Sequence, residues 1–174
     1  MDIQIRDETA RDVTVIRNVT EAAFKDRSYS QGTEGAIINI LRSEGALTVS
    51  LVAILNGELV GHIAFSPVTI DGSNMGWYGL GPVSARRDVQ GRGIGTALIQ
   101  DGLSRIKSLG AKGCVVLGAK SYYQRFGFVN NSEMWLQGVS PDHFMVSSFC
   151  GHFESGEVSF HKAFLTTPSA ASGK

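Results

Sequence analysis

The order of apolar patterns along the chain predicts an α/β (α+β) fold, a mixed and largely antiparallel sheet with one parallel crossover and flanking helices. Three observations predict it. Asn56-Gly57 stands between two apolar runs, residues 48–55 and 59–68; both central residues of a type I′ turn need positive φ, so the pair signals a hairpin. Ala97, Leu98, Leu103, Ile106 and Leu109 recur at helical spacing over residues 93–109, and Gly110 stops the helix. Cys114-Val115-Val116-Leu117 then forms a short continuous apolar run, the pattern of a strand buried on both faces.

The remaining elements follow the same logic. Ile3 and Ile5 alternate with polar residues and read as a short first strand. Val13, Ile16, Val19, Ala23 and Phe24 lie on one face of a helix. After a polar stretch over 25–32, Thr33 is placed to cap a second helix carrying Ile37, Ile38 and Leu41. Residues 77–83 read as a strand interrupted by Gly79, Gly81 and Pro82, and 122–126 as a short helix. Strands are expected near 134–137, 144–149 and 158–160, the last two as a final antiparallel pair. No repeat or linker divides the chain. Residues 1–165 are expected to form one domain, and 166–174, rich in Ser, Ala and Thr, a frayed tail.

Composition excludes several classes. At 174 residues the chain is long enough to bury a sizeable core. Hydrophobic residues make up 43% and charged residues 18%, and mean hydropathy is near zero, which is a globular balance. Sixteen basic residues offset sixteen acidic ones, so no global field recruits nucleic acid or an anionic membrane. The apolar runs are too short for a membrane span, and Met1-Asp2-Ile3-Gln4 lacks the basic and apolar regions of a signal peptide. Cys114 and Cys150 are not spaced as a metal knuckle or a redox pair, so two reduced thiols in a cytoplasmic protein and no bound metal are expected.

The segment Gln90-Gly91-Arg92-Gly93-Ile94-Gly95-Thr96 joins a predicted strand to a predicted helix. Its glycines permit positive φ and close backbone approach to a ligand. The first N–H groups of the helix lack internal partners and carry the positive end of the dipole, so the turn suits a pyrophosphate. Arg92 adds a cation. Gly91, Gly93 and Gly95 are spaced by two, which departs from the GxGxxG of a dinucleotide site, and the Gly-Lys-Ser/Thr of a triphosphate loop is absent.

Gln-x-x-Gly-x-Gly leading into an amphipathic helix resembles the acetyl-CoA signature of the GNAT superfamily of N-acetyltransferases. Further motifs resemble its bacterial group of YhbS-like predicted acetyltransferases: the 45–53 region, Ala64-Phe65-Ser66-Pro67-Val68, Gly81-Pro82-Val83-Ser84, Gly113-Cys114-Val115-Val116-Leu117-Gly118, and Tyr122-Tyr123-Gln124-Arg125-Phe126-Gly127-Phe128. The resemblance covers nearly all of the chain before the tail. It implies a twisted sheet of about seven strands in which the strand ending at Val83 and the strand at 114–117 are parallel and splay apart. Acetyl-CoA, or coenzyme A, would enter that gap. Pantetheine would then add along the backbone of Val83 and Ala85, with a bulge at Gly81-Pro82 freeing those groups. Many family members carry an asparagine on the second of these strands, where this chain runs Val116-Leu117-Gly118.

The same resemblance implies a set of site residues. The Val83 N–H would point at the thioester carbonyl, and Tyr123, four residues before Gly127, would be the general acid that protonates the departing thiolate. Cofactor contacts would come from Val83, Ser84 and Ala85, from Gln90, Gly91, Arg92, Gly93, Ile94, Gly95 and Thr96, and from Arg125, unless Arg125 faces solvent. Glu21, Asp26, Glu34, His62 and His143 are each chemically able to deprotonate the acceptor amine. The acceptor pocket is expected from residues 25–35 and 66–77. The expected reaction is acetyl transfer to a primary amine of a small molecule or peptide by direct attack in a ternary complex. A non-catalytic acyl-CoA-binding module and a protein acetyltransferase are the alternatives, and dimerisation through the C-terminal strands is common in such folds.

Overall fold

The computed structural model describes residues 2–168 of the chain; residues 169–174 of the expected tail lie outside the described residues. Two sheets organise it. The larger has six strands in the order β1 (Ile3–Asp7), β2 (Val49–Leu55), β3 (Glu58–Pro67), β5 (Trp77–Ala85), β6 (Gly113–Leu117) and β8 (Phe144–Ser148). The smaller has three, β4 (Thr69–Ile70), β9 (Gly156–Ser159) and β7 (Met134–Trp135). All neighbours in the larger sheet are antiparallel except β5 and β6. Asn56 and Gly57 have φ of 53° and 79°, as the hairpin between β2 and β3 requires.

The strands expected near 144–149 and 158–160 do not pair with each other: β8 closes the larger sheet against β6, while β9 runs antiparallel to β4 and parallel to β7. Hydrophobic pattern marks both as strands but carries no information on partner choice, which Phe144, Val146 and Val158 settle by burying against Trp77, Val115 and Met134. The short β4 falls inside the expected loop 66–77, turned by Asp71 and Gly72 at positive φ.

Helices cover both faces of the larger sheet. Helix α1 (Val13–Phe24) lies over β3 and β5 and packs against α2 (Glu34–Ser43). Ile16 and Ile38 bury against Val52 and Ala64 on that face. On the opposite face α3 (Ile94–Ser108) buries Ile94, Leu98, Ile99 and Ile106 among Leu51, Ile63 and Phe65. The approach is close because position 102 carries no side chain: a Cβ there would lie 2.2 Å from Phe65 Cε1. The helix expected at 122–126 begins earlier, as α4 (Lys120–Tyr123), and continues as a 3-10 turn over Gln124–Phe126.

The pairing of β5 with β6 ends early. Trp77–Leu80 match Gly113–Val116, after which β5 runs on with β3 alone as far as Ala85. The β3–β5 register shifts between Ile63 and Phe65, where three steps of β5 across Gly81 and Pro82 answer two of β3. Gly81-Pro82 is a cis peptide. Because β6 pairs with β5 only as far as Leu80, the two parallel strands splay beyond it, and the outer edge of residues 81–85 faces the opening.

Candidate active site

Register decides which backbone groups face that opening. Arg86 N donates to Val60 O at 2.7 Å, so residue 86 belongs to a hydrogen-bonded pair with β3. In an antiparallel ladder the pairs alternate, which assigns Ser84 to β3 and turns the N–H and C=O of Val83 and Ala85 toward the gap. Ala85 O accordingly accepts a hydrogen bond from Gln90 Nε2, at 3.0 Å, instead of from β3.

The turn between β5 and α3 forms the floor. Gly91 and Gly93 adopt φ of 79° and 86°, and Gly93 is the left-handed N-cap of α3. The first intrahelical bond runs from Ala97 N to Gly93 O at 3.0 Å, so the N–H groups of Ile94, Gly95 and Thr96 have no helical partner, and no side chain caps them. A cavity of about 580 Å³ opens onto this floor. Val83, Ser84 and Ala85 form one wall, and Gln90, Gly91 and Gly93 to Thr96 the other. Its charged lining is Arg27 and Arg125, with no carboxylate.

Arg27 and Tyr122 are the residues that sequence reasoning missed. Arg27, in the 25–33 connection, donates through Nη2 to Gln90 Oε1 at 3.4 Å and so overhangs the turn. Arg87 anchors that connection from below by donating to Ala22 O at 3.0 Å and pairing with Asp26 at 3.1 Å. Nothing local in the sequence links Arg27 to a turn more than sixty residues away; only the docking of α1 on β5 does. Tyr122 lies over the start of α3, where a Cβ on Gly95 would be 3.3 Å from its hydroxyl, and Arg125 stacks on its ring at 4.7 Å. Arg92 is exposed and does not line the cavity.

Tyr123 is set behind Tyr122, their rings meeting edge-on at 5.0 Å. Its ring is buried against Phe128 and over Gly118. The hydroxyl makes no hydrogen bond among the described residues, yet it is not one of the sealed unpartnered polar atoms, so its tip reaches open space. Burial, reinforced by the neighbouring phenols Tyr122 and Tyr29, pushes the Tyr123 phenol up to about 12.

The five candidate bases separate in space. Glu21 binds Arg17 at 3.0 Å, Asp26 binds Arg87, and Glu34 accepts from the Ser30 hydroxyl at 2.8 Å. His143 is exposed on the 3-10 turn before β8. His62 alone is fully buried, on β3 directly across from Ser84. Among the described residues no helix is long and apolar enough to cross a membrane, and no group of three or more His, Cys, Asp or Glu side chains is placed to hold a metal ion.

Comparison with known proteins follows the geometry. The acetyltransferase (GNAT) family profile matches residues 15–128. Two Escherichia coli K12 proteins, each named an uncharacterized N-acetyltransferase, are similar: YhbS, 35% identical over 107 residues covering 61% of this chain, and YjhQ, 32% identical over 120 residues covering 67%. The aligned region spans 64% of the length of either relative. A GNAT family acetyltransferase from Brucella melitensis, solved in complex with acetyl-CoA, superposes with a TM-score of 0.84 at 46% identity, covering 94% of this chain and 98% of that one. E. coli YhbS, solved in complex with CoA, superposes at 0.86 with 27% identity, covering 94% and 92%.

Proposed function

The chain belongs to the acetyltransferase (GNAT) family, and from that premise we propose that it transfers an acetyl group from acetyl-CoA to a primary amine in a ternary complex, in the cytoplasm. The observation that carries the reading is the cavity itself. A row of uncapped helix N–H groups and two guanidinium groups meets a strand edge whose Val83 and Ala85 backbone groups have no ladder partner. Such a site suits an anionic pyrophosphate at one end and an extended, amide-bearing chain along the other. The Brucella structure with acetyl-CoA and the E. coli structure with CoA support this use of the same fold.

In this reading Gly91 to Thr96 hold the pyrophosphate, with Arg27 and Arg125 adding charge-assisted contacts. Val83 and Ala85 hold the pantetheine amides, and the Val83 N–H stabilises the negative charge that develops on the thioester oxygen. Tyr123 then supplies a proton to the leaving thiolate. Its phenol is held protonated far above neutral pH and its hydroxyl is not committed elsewhere, and both suit a general acid set behind Tyr122 at the cavity's edge. Cys114 is buried and its thiol is pushed well above the usual range, so it does not compete as a nucleophile.

The test is acetyl-CoA binding by calorimetry, followed by release of free thiol with a panel of small amines and amino-terminal peptides. Acceptor-dependent thiol release supports the reading, and the panel separates small-molecule from peptide acceptors. Binding without release on any amine points instead to a non-catalytic acyl-CoA module. Absence of binding removes the reading.

A further inference from the structure

A second cavity lies beside the first and shares one residue with it. It measures about 270 Å³ and is lined by Gln100, Leu103, Ser104 and Lys107 of α3 and by Arg125 and Phe126 of the 3-10 turn after α4. Arg125 also lines the larger cavity, so the two meet around one guanidinium. Helical spacing explains the groove: positions 100, 103, 104 and 107 fall on one face of α3. Leu103 is buried in its base, while Gln100, Ser104 and Lys107 are exposed along its rim.

The charge of this groove is one-sided. Its lining holds two cations, an amide and a hydroxyl, and no carboxylate. The single acid of α3, Asp101, binds Arg105 at 3.1 Å, and Arg105 also binds Asp7 at 2.9 Å. Lys107 and Arg125 rest on aromatic rings instead. Lys107 Nζ stands 4.9 Å from the centroid of the Phe149 ring, and the Arg125 guanidinium lies over Tyr122. Neither takes part in an ion pair among the described residues. A cation held by a ring face is positioned without having its N–H donors used up on a carboxylate.

Position along α3 decides what reaches the groove. The pyrophosphate floor ends at Thr96. A helix rises about 1.5 Å per residue, so Gln100 lies about 6 Å and Ser104 about 12 Å farther along the axis, within the span of a nucleotide. Beyond its pyrophosphate, coenzyme A carries one more anionic group, the phosphate monoester on its ribose. The base and the sugar are neutral and call for no cation.

We propose that Lys107 and Arg125 bind the ribose phosphate monoester of the cofactor, and that Lys107 makes the chain selective for coenzyme A over dephospho-coenzyme A. The proposal rests on the acetyl-CoA reading and adds to it the residues that read the far end of the cofactor. Gln100 and Ser104 supply neutral donors to the same phosphate. Arg125 stands between the monoester on one side and the pyrophosphate on the other, so its charge serves both. Lys107 serves the monoester alone. It is a specificity residue, remote from the thioester, and touches no reacting atom.

Titration calorimetry of the full chain with coenzyme A and with dephospho-coenzyme A tests it. Wild type is expected to bind coenzyme A about tenfold more tightly, a gap that narrows as salt is raised. Lys107→Ala is expected to cut the gap to about threefold by weakening coenzyme A alone, with dephospho-coenzyme A affinity unchanged. Lys107→Glu puts a carboxylate in the groove and is expected to reverse the preference, whereas a residue that only supports the fold would move both ligands together. A Lys107→Ala ratio equal to that of wild type overturns the proposal and leaves the acetyl-CoA reading standing. Equal binding of the two forms by wild type does the same; if inorganic phosphate is then taken up in a Lys107-dependent way, the groove belongs to a separate phosphorylated ligand. A wild type that binds neither form removes the acetyl-CoA reading, and the selectivity with it.

Discussion

Tyr123 lies across Gly118: a Cβ at position 118 would stand 2.2 Å from Tyr123 Cε2 and 2.8 Å from Cδ2. The end of β6 is bare so that this ring can lie flat against it. Gly118 is held there by its N–H, which donates to His143 O at 2.9 Å. Gly118→Ala must therefore move the phenol and not the backbone. The substitution is expected to cost about 1–3 kcal/mol of stability, the usual range for overpacking. It should also lower kcat with acetyl-CoA affinity nearly unchanged, since the phosphate turn is on a different element. Thermal unfolding and steady-state kinetics on one preparation check both.

The elevated phenol of Tyr123 sets a pH limit. A general acid works in its protonated form and is lost as pH rises through its own pKa, which here stands at about 12. No alkaline loss of activity should trace to this residue below about pH 11. Tyr123→Phe should lower kcat on the order of 10²-fold, whereas Tyr122→Ala, which removes the ring that carries the Arg125 stack, should mainly affect acetyl-CoA binding. An alkaline limb near pH 9 that vanishes in Tyr123→Phe would contradict this assignment.

Three arginines near the phosphate turn should separate cleanly. Arg27→Ala and Arg125→Ala remove cations that line the cavity and should each weaken acetyl-CoA binding by about tenfold, more at low salt than at high. Arg92→Ala, within the glycine turn itself, should change affinity little because its side chain is exposed outside the cavity. Calorimetric titration of the three variants at two ionic strengths decides it.

Asp12 predicts an acid-sensitive contribution to stability. Arg6 binds its carboxylate through two bonds of 2.8 and 3.1 Å, the Thr9 N–H adds another at 2.7 Å, and together they hold it at about 2 despite partial burial. A carboxyl depressed by folding stabilises fully above its unfolded value near 4, and that contribution disappears as pH falls through the folded value. The stability difference between wild type and Asp12→Asn should thus be constant from pH 7 to about pH 5 and narrow below pH 4. Denaturant unfolding across that range measures it.

Elements whose signal is local were readable from the chain. Asn56-Gly57 specified its turn because few other residues tolerate two successive positive φ values. Gly91 and Gly93 announced the turn before α3 for the same reason, and the Gly81-Pro82 bulge followed from a proline that cannot donate to a ladder. The small second sheet was readable only in part. Strands were expected near 134–137 and 158–160, where Met134–Trp135 and Gly156–Ser159 stand, but Thr69–Ile70 is a two-residue strand, too short to show a period, and the pairing of all three through β9 carries no local signal.

The sequence by itself determined the family resemblance, most of the strand, turn and helix order, and the glycine turn over residues 90–96, because backbone conformation depends on neighbours a few positions away. Only the tertiary structure decided that Arg27 closes over the cavity, that Arg92 stands outside it, and that His62 shares a sheet face with Ser84 and Ser50. Those outcomes depend on strand register and on which helix covers which face. A one-residue slip in β3 would send His62 to the α3 side of the sheet. Register is set by burial of the whole apolar set at once, and no short stretch of the chain contains it.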